Sequence, residues 1–405
     1  MRNLKFPITQ IFCPLLFLAA LTGCGGRAMA DHANDEITPG LRSAVKNYRS
    51  VHDFSEGLAS VLRFNKYGFI DKQGNEIIPC KFDLVNEFHN GVAVVREGEK
   101  YGVIDCEGSH VVPCEYDMIT PFGEDSLRVV RNGRKYGILD IKNNNIVAPL
   151  EYDMINDFHD GLAGAVVDGS CGFIDRSGKQ AVPFVFSSYG FFSEGLAPVV
   201  KDGEWVYIDN KGDVVIPNID GMSDSPFCGG VAPLVHQSLV RRQGSMALEQ
   251  KAAFIDRSGK RICNYISFDF ISGSNGAYVV INSDYGKISL VDSKGVHKLP
   301  GKYRIAAITD DEYITVAGDD SKFGLIEKKT GRMVIPCEYE TADFRFSEWL
   351  TPAKRNGKYG YLNKRNEVVI PFIYDKASPF SEHLAVVVKD GKYGYVDRYG
   401  NDTFD

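Results

Sequence analysis

At 405 residues the chain is longer than one compact core ordinarily fills, which favours an array of small units. Its composition is that of a folded protein, 44% hydrophobic and 24% charged, while 41 glycines and 12% aromatic residues point to strands and turns rather than helices. The formal charge of −7 disfavours a nucleic-acid partner.

The N-terminus carries Arg2 and Lys5, an apolar run from Ile8 to Leu21, and then Leu21-Thr22-Gly23-Cys24. The run is short for a bilayer span, and small residues precede the cysteine as a cleavage site requires. This stretch resembles a bacterial lipoprotein signal peptide with its lipobox. The resemblance implies that residues 1–23 are removed, that Cys24 carries diacylglycerol, and that the mature protein is lipid-anchored in the cell envelope, outside the cytoplasm. Two or three acyl chains, at about 0.8 kcal/mol per buried methylene, hold far better than one. Gly25 and Gly26 follow the cysteine, and by resemblance the lack of Asp there implies the outer membrane in a cell that has one. Residues 24–50, with Pro39-Gly40 and no sustained period, read as a flexible tether.

A repeat array occupies residues 51–405. Its signature is a Lys-aromatic-Gly step, with aromatic-Gly pairs at Tyr67-Gly68, Tyr101-Gly102, Tyr136-Gly137, Phe323-Gly324, Tyr359-Gly360 and Tyr393-Gly394. Phe54, Phe88, Phe122, Phe158, Phe192 and Phe227 mark copy starts at spacings of 34, 34, 36, 34 and 35; the period degrades through Phe270 and recovers at Phe346 and Phe380. The copies fall near 54–87, 88–121, 122–157, 158–191, 192–226, 227–269, 270–307, 308–345, 346–379 and 380–405. Within a copy, Asp390-Gly391 and its equivalents Asn132-Gly133, Asp168-Gly169, Asp202-Gly203 and Asn356-Gly357 predict tight hairpin turns. A second turn such as Asp71-Lys72-Gln73-Gly74 has an Asp able to bond its own backbone, and a third strand ends at a proline such as Pro79. The expectation is an all-β tandem array of about ten three-stranded antiparallel meanders of about 35 residues. Each carries a return segment such as Lys81 to Phe88, and the whole forms a solenoid-like superhelix or, alternatively, a closed propeller-like ring. The aromatic before each Gly is expected to plug the core, and the Gly to mark a bulge or a close approach between copies.

From residue 54 to about 400 the chain resembles the WG-repeat proteins, a bacterial family whose short repeats centre on an aromatic-Gly pair. It departs from them by placing Tyr or Phe where Trp is typical, and Trp205 is followed by Val206 rather than Gly. The resemblance implies a β-rich repeat architecture and no single activity.

The sixth copy holds an insertion, His236 to Lys251, in which Arg241, Arg242 and Lys251 form a basic spot on an acidic protein and Ser245–Lys251 is read as a helical turn. These three cations are the candidate partner contacts. Cys80, Cys114 and Cys337 stand where other copies have Leu150, Phe184 and Phe372, so they read as buried thiols; a Cys80–Cys114 bridge is the alternative in an oxidising compartment. No Cys-x-x-Cys spacing points to a metal, and no cofactor motif or catalytic motif appears. His89 and His159 read as turn-surface residues. Carboxylates recur at Glu56, Glu194, Glu348 and Glu382 and at Asp71, Asp105, Asp140, Asp175, Asp209, Asp256 and Asp397, a repetition that suits structure better than catalysis. The function expected is therefore non-catalytic: an envelope scaffold that binds a protein or a glycan. An envelope enzyme acting on glycan or peptidoglycan and a plain spacer are the alternatives.

Overall fold

A computed structural model describes residues 37–404, save 122–125, 219, 222–223, 243–244, 275, 283–286, 302, 310–311, 319 and 342–343. The expected signal peptide, Cys24 and the copy marker Phe122 lie outside these residues, as do the side chains of Phe270, Arg241 and Arg242, whose backbone is described. No described helix is long and apolar enough to cross a membrane.

The protein is all-β, made of many small antiparallel sheets. In the first, β1 (Ser50–Ser55), β2 (Leu58–Arg63), β3 (Lys66–Asp71) and β4 (Glu76–Phe82) pair in chain order. In the second, β5 (Leu84–Val85), β6 (Val92–Glu97), β7 (Lys100–Asp105) and β8 (His110–Tyr116) do the same. Among the described residues there are nine sheets, one of them six-stranded. That large sheet fuses two units, because the strand Ile266–Ser274 pairs with both Ser245–Asp256 and Ala277–Asn282.

The three-stranded expectation is corrected at the return segment. Lys81 and Phe82 finish β4, but Leu84 and Val85 pair with Arg96 and Val95 of the following sheet. A free return segment beside a sheet would leave both its own backbone groups and the sheet edge unpaired; crossing over satisfies both. Most units are thus four-stranded, with the first strand drawn from residues that the repeat phase gave to the preceding copy.

Side-chain alternation explains why one unit cannot stand alone. In β3, Phe69 packs with Phe88, Val95 and Ile104 of the second sheet, while its neighbour Ile70 packs the opposite way. Val103 and Ile104 of β7, and Ile138 and Leu139 of the third unit, divide in the same manner. Each sheet is therefore apolar on both faces, and the core is the series of layers between sheets. Ile70 does not face solvent, although no sheet precedes the first among the described residues. It packs with Leu384 and Tyr395 of the last unit, and the two ends of the array meet.

Part of the expected tether is folded. The helix α1 (Pro39–Ala44) is capped by the Thr38 hydroxyl, and Leu41 and Val45 are buried against the first sheet. The helical turn expected at Ser245–Lys251 is also corrected, since that segment is strand throughout.

Candidate functional site

The recurring side chains have structural partners that repeat with them. Asp71 Oδ1 accepts hydrogen bonds from the backbone N–H groups of Gln73 and Asn75 at 2.9 and 2.8 Å, and Asp105, Asp175, Asp209, Asp256 and Asp397 do the same in their own turns. Lys66, Lys100, Lys135 and Lys358 pair with Asp83, Asp117, Asp153 and Asp375 at 2.5–2.7 Å. The lysine hydrogen bond is the largest influence on each of those carboxyls and holds it below its usual range.

A second set of side chains fastens each unit to the next. Ser55 Oγ donates to the Phe88 carbonyl at 2.7 Å, and Glu56 accepts from the Gly91 N–H at 2.7 Å. Ser193 and Glu194 reach Phe227 and Gly230 in the same way, and Glu348 takes the N–H of His383. Ser381 and Glu382, in the last unit, reach Phe54 at 2.6 Å and Gly57 at 3.1 Å in the first. Where His159 replaces the serine, Asp160 still takes the N–H of Gly195 at 2.8 Å.

The aromatic-Gly pair does something other than what the pattern suggested. Tyr67, Tyr101, Tyr136, Phe323, Tyr359 and Tyr393 are only half-buried; the fully enclosed residue is the one after the glycine, such as Phe69, Tyr361 or Tyr395. The half-buried rings pair across the sheet, Tyr67 opposite Phe82 and Tyr101 opposite Tyr116. The glycine serves a close approach within its own sheet, not between copies: a Cβ at Gly68 would stand 2.4 Å from the Ile78 carbonyl oxygen, and at Gly324 and Gly360 the same approach recurs at 2.5 and 2.6 Å. Gly102, Gly137 and Gly394 are crowded likewise. The strand opposite bulges at this point, as the register shift between Tyr67 and Phe69 records.

The insertion is the feature that breaks the pattern. Val231–Arg242 and Ser245–Asp256 are strands of 12 residues each, where β2 and β3 have 6. Among the described residues only the base of this hairpin is flanked, on one edge by Ile266 and Ser267 opposite Ala252 and Lys251 and on the other by Gly221, whose carbonyl accepts from the Val235 N–H. The six further residues on each side, Gln237 to Arg242 and Ser245 to Gln250, continue as a two-stranded arm of about 20 Å at about 3.4 Å per residue. Arg241 and Arg242 lie at its tip, opposite Met246 and Ser245. Lys251 lies at its base and is engaged, 2.8 Å from Glu249, so the three candidate contacts do not form one spot. Leu239, on the arm, is 69% exposed. Trp349 and Phe64 are more exposed still, at turns the repeat phase did not single out.

All seven described cysteines are free thiols, Cys80 and Cys114 among them. Between the first two sheets lies a cavity of about 270 Å³ lined by His52, Asp53, Tyr67, Asn86 and Glu87 among others. Burial lowers the His52 pKa and raises that of Asp53, so both resist ionisation.

The sequence pattern of the family described as "WG containing repeat" matches residues 67–101, 101–136, 136–171, 172–205, 323–359 and 359–393, more than half of the chain. No curated protein matches the chain at a significant level. Among solved structures, a crystal structure titled as the eukaryotic initiation factor is similar at 12% identity and a TM-score of 0.51, over 78% of this chain and 95% of that one. BamB from Moraxella catarrhalis is similar at 14% identity and a TM-score of 0.33, over 72% and 93%. The first likeness is one of fold alone.

Proposed function

From the premise that this chain belongs to the WG-repeat family, we propose that it is a non-catalytic binding scaffold whose repeat units form a closed, propeller-like ring and whose projecting arm engages a partner protein. The contact of the last unit with the first supports the ring over an open solenoid, because it repeats the serine and glutamate contacts of an internal junction. The arm carries the functional reading. Among the described residues, the two-stranded ribbon beyond its sheet has no further strand paired to either edge, the arrangement by which a protein segment is taken up as an added strand. A protein is favoured over a glycan, since the repeated tyrosines are half-buried rather than exposed.

The Leu21-Thr22-Gly23-Cys24 sequence supports placing this scaffold on an envelope membrane through acylated Cys24. Cys24→Ala should then release the protein from the detergent-requiring membrane fraction; undiminished membrane association of that variant removes the anchor from the proposal.

The arm is tested by replacing residues 237–250 with Asn-Gly, which restores a two-residue turn next to the His236–Lys251 pair as in β2–β3. Folding should be retained, and recovery of a cross-linked partner from cells should fall at every salt concentration. Asn132-Gly133→Ala-Ala, in a regular unit, is the control that should leave recovery unchanged. Undiminished recovery with the arm excised assigns binding to the regular units instead.

A further inference from the structure

We propose that Glu97, His110 and Cys114, at one edge of the second sheet, bind a divalent transition-metal ion of the zinc class. Glu97 ends β6, and His110 and Cys114 lie on β8, so the donors come from two strands separated by β7. One ligand atom from each lies within 4.8 Å of the other two. Cys114 Sγ is 3.6 Å from His110 Nε2, which is 3.9 Å from Glu97 Oε1. A tetrahedral ion at about 2.3 Å from sulfur and about 2.0–2.1 Å from nitrogen and oxygen requires separations of roughly 3.6 Å and 3.4 Å. The thiol and imidazole already stand at the required separation. The carboxylate must close by about half an ångström, and the Glu97 and His110 side chains, 41% and 31% exposed, have room to turn. A thiolate, an imidazole and one carboxylate suit zinc, cobalt or nickel rather than magnesium or calcium, and water would complete the coordination.

The neighbouring unit shows what these positions do when they do not converge on a metal. Thirty-four residues earlier stand Arg63, Glu76 and Cys80, where Arg63 and Glu76 form an ion pair at 2.7 Å and the thiol turns toward the Val61 carbonyl. In the second unit the arginine has become Glu97 and the glutamate His110, so an ion pair is exchanged for three donors. The nearest lysine, Lys81, is 4.0 Å from Glu97 and competes only weakly for the carboxylate. Gly102 leaves the room that the thiol occupies, since a Cβ there would lie 2.8 Å from Cys114 Sγ. On binding, the Cys114 S–H bond breaks, a sulfur–metal bond forms and the proton passes to solvent.

Cobalt(II) titrated into the reduced full chain tests the site. One equivalent should produce thiolate-to-cobalt charge-transfer absorption that zinc then displaces. Cys114→Ser should abolish the band, and His110→Ala and Glu97→Gln should each weaken cobalt binding roughly tenfold or more. Cys80→Ser, at the same position of the first unit, should leave it unchanged. These residues are at the surface, and circular dichroism of each variant separates lost binding from lost fold. Absence of the band at one equivalent, or its persistence in Cys114→Ser, overturns the proposal.

Discussion

The junction between the first and second units and the junction between the last and the first use the same two fasteners, a serine to a phenylalanine carbonyl and a glutamate to a glycine N–H. They differ in what surrounds those fasteners. The internal junction is continuous in the chain, β4 passing into β5 through Asp83 alone. The terminal junction lacks any such link and adds Lys72 to Glu382 at 3.1 Å and Ser378 Oγ to Asp53 at 2.6 Å, while its Tyr395 OH donates to the His52 carbonyl at 2.7 Å as Tyr361 OH does to the Ser378 carbonyl at an internal junction. Helix α1 covers the same layer. Where the backbone does not hold two sheets in register, side chains must, and the closing joint carries more of them.

The closing joint depends most on Tyr395. This ring is wholly buried in the layer shared by the first and last units, and Tyr395→Ala should cost about 3–5 kcal/mol in denaturant unfolding. Tyr361→Ala, its internal counterpart, should cost a similar amount. A loss below about 0.5 kcal/mol for Tyr395→Ala would mean that the terminal contact is incidental. Glu56→Gln and Glu382→Gln should each cost on the order of 1 kcal/mol, with Glu382→Gln the larger because Lys72 then loses its ion pair and keeps only the Glu382 carbonyl. Equal losses in a thermal melt would show that Lys72 adds nothing. The smallest effect is shared by every regular unit. Asp83, Asp117, Asp153 and Asp375 have carboxyls lowered first by their lysines. Their contribution is therefore present above the ordinary Asp value of about 3.9 and lost as pH falls through the lowered ones. An acid titration of the melting temperature should drop below about pH 4, less steeply in high salt because these groups are exposed. A flat profile through that range would show that the pairs are idle.

Local chemistry was readable in the sequence wherever the partner lay a few residues away. The Asp390-Gly391 and Asn356-Gly357 hairpins and the Asp that caps its own turn depend on separations of two to four residues, and the structure has them, whereas the turn expected at Asn132-Gly133 is shifted by one to Gly133-Arg134, because Asn132 pairs with Lys135. What escaped notice depends on partners across a sheet or a junction. The fourth strand exists only because Leu84 and Val85 meet the next sheet. Gly68 is required by the Ile78 carbonyl rather than by a neighbouring copy. The basic insertion is an arm instead of a helical turn because both its strands continue a ladder already begun at Val231 and Asp256. The proximity of Glu97 to His110 and Cys114 follows no short-range spacing rule, since β7 stands between Glu97 and the strand that carries the other two.

The meeting of the chain's ends also fixes an order of events in synthesis. His52 and Asp53 are bound by residues 325 to 343 positions later in the sequence. On a ribosome the first sheet is therefore complete long before its second neighbour exists, with Val51, Phe54, Val61 and Ile70 uncovered on one side. Helix α1 is the early shield for that face, because it is made first and already carries Leu41 and Val45 to it. Contacts of such separation are slow to form, and a chain interrupted before Leu384 presents an apolar sheet face to any other nascent copy.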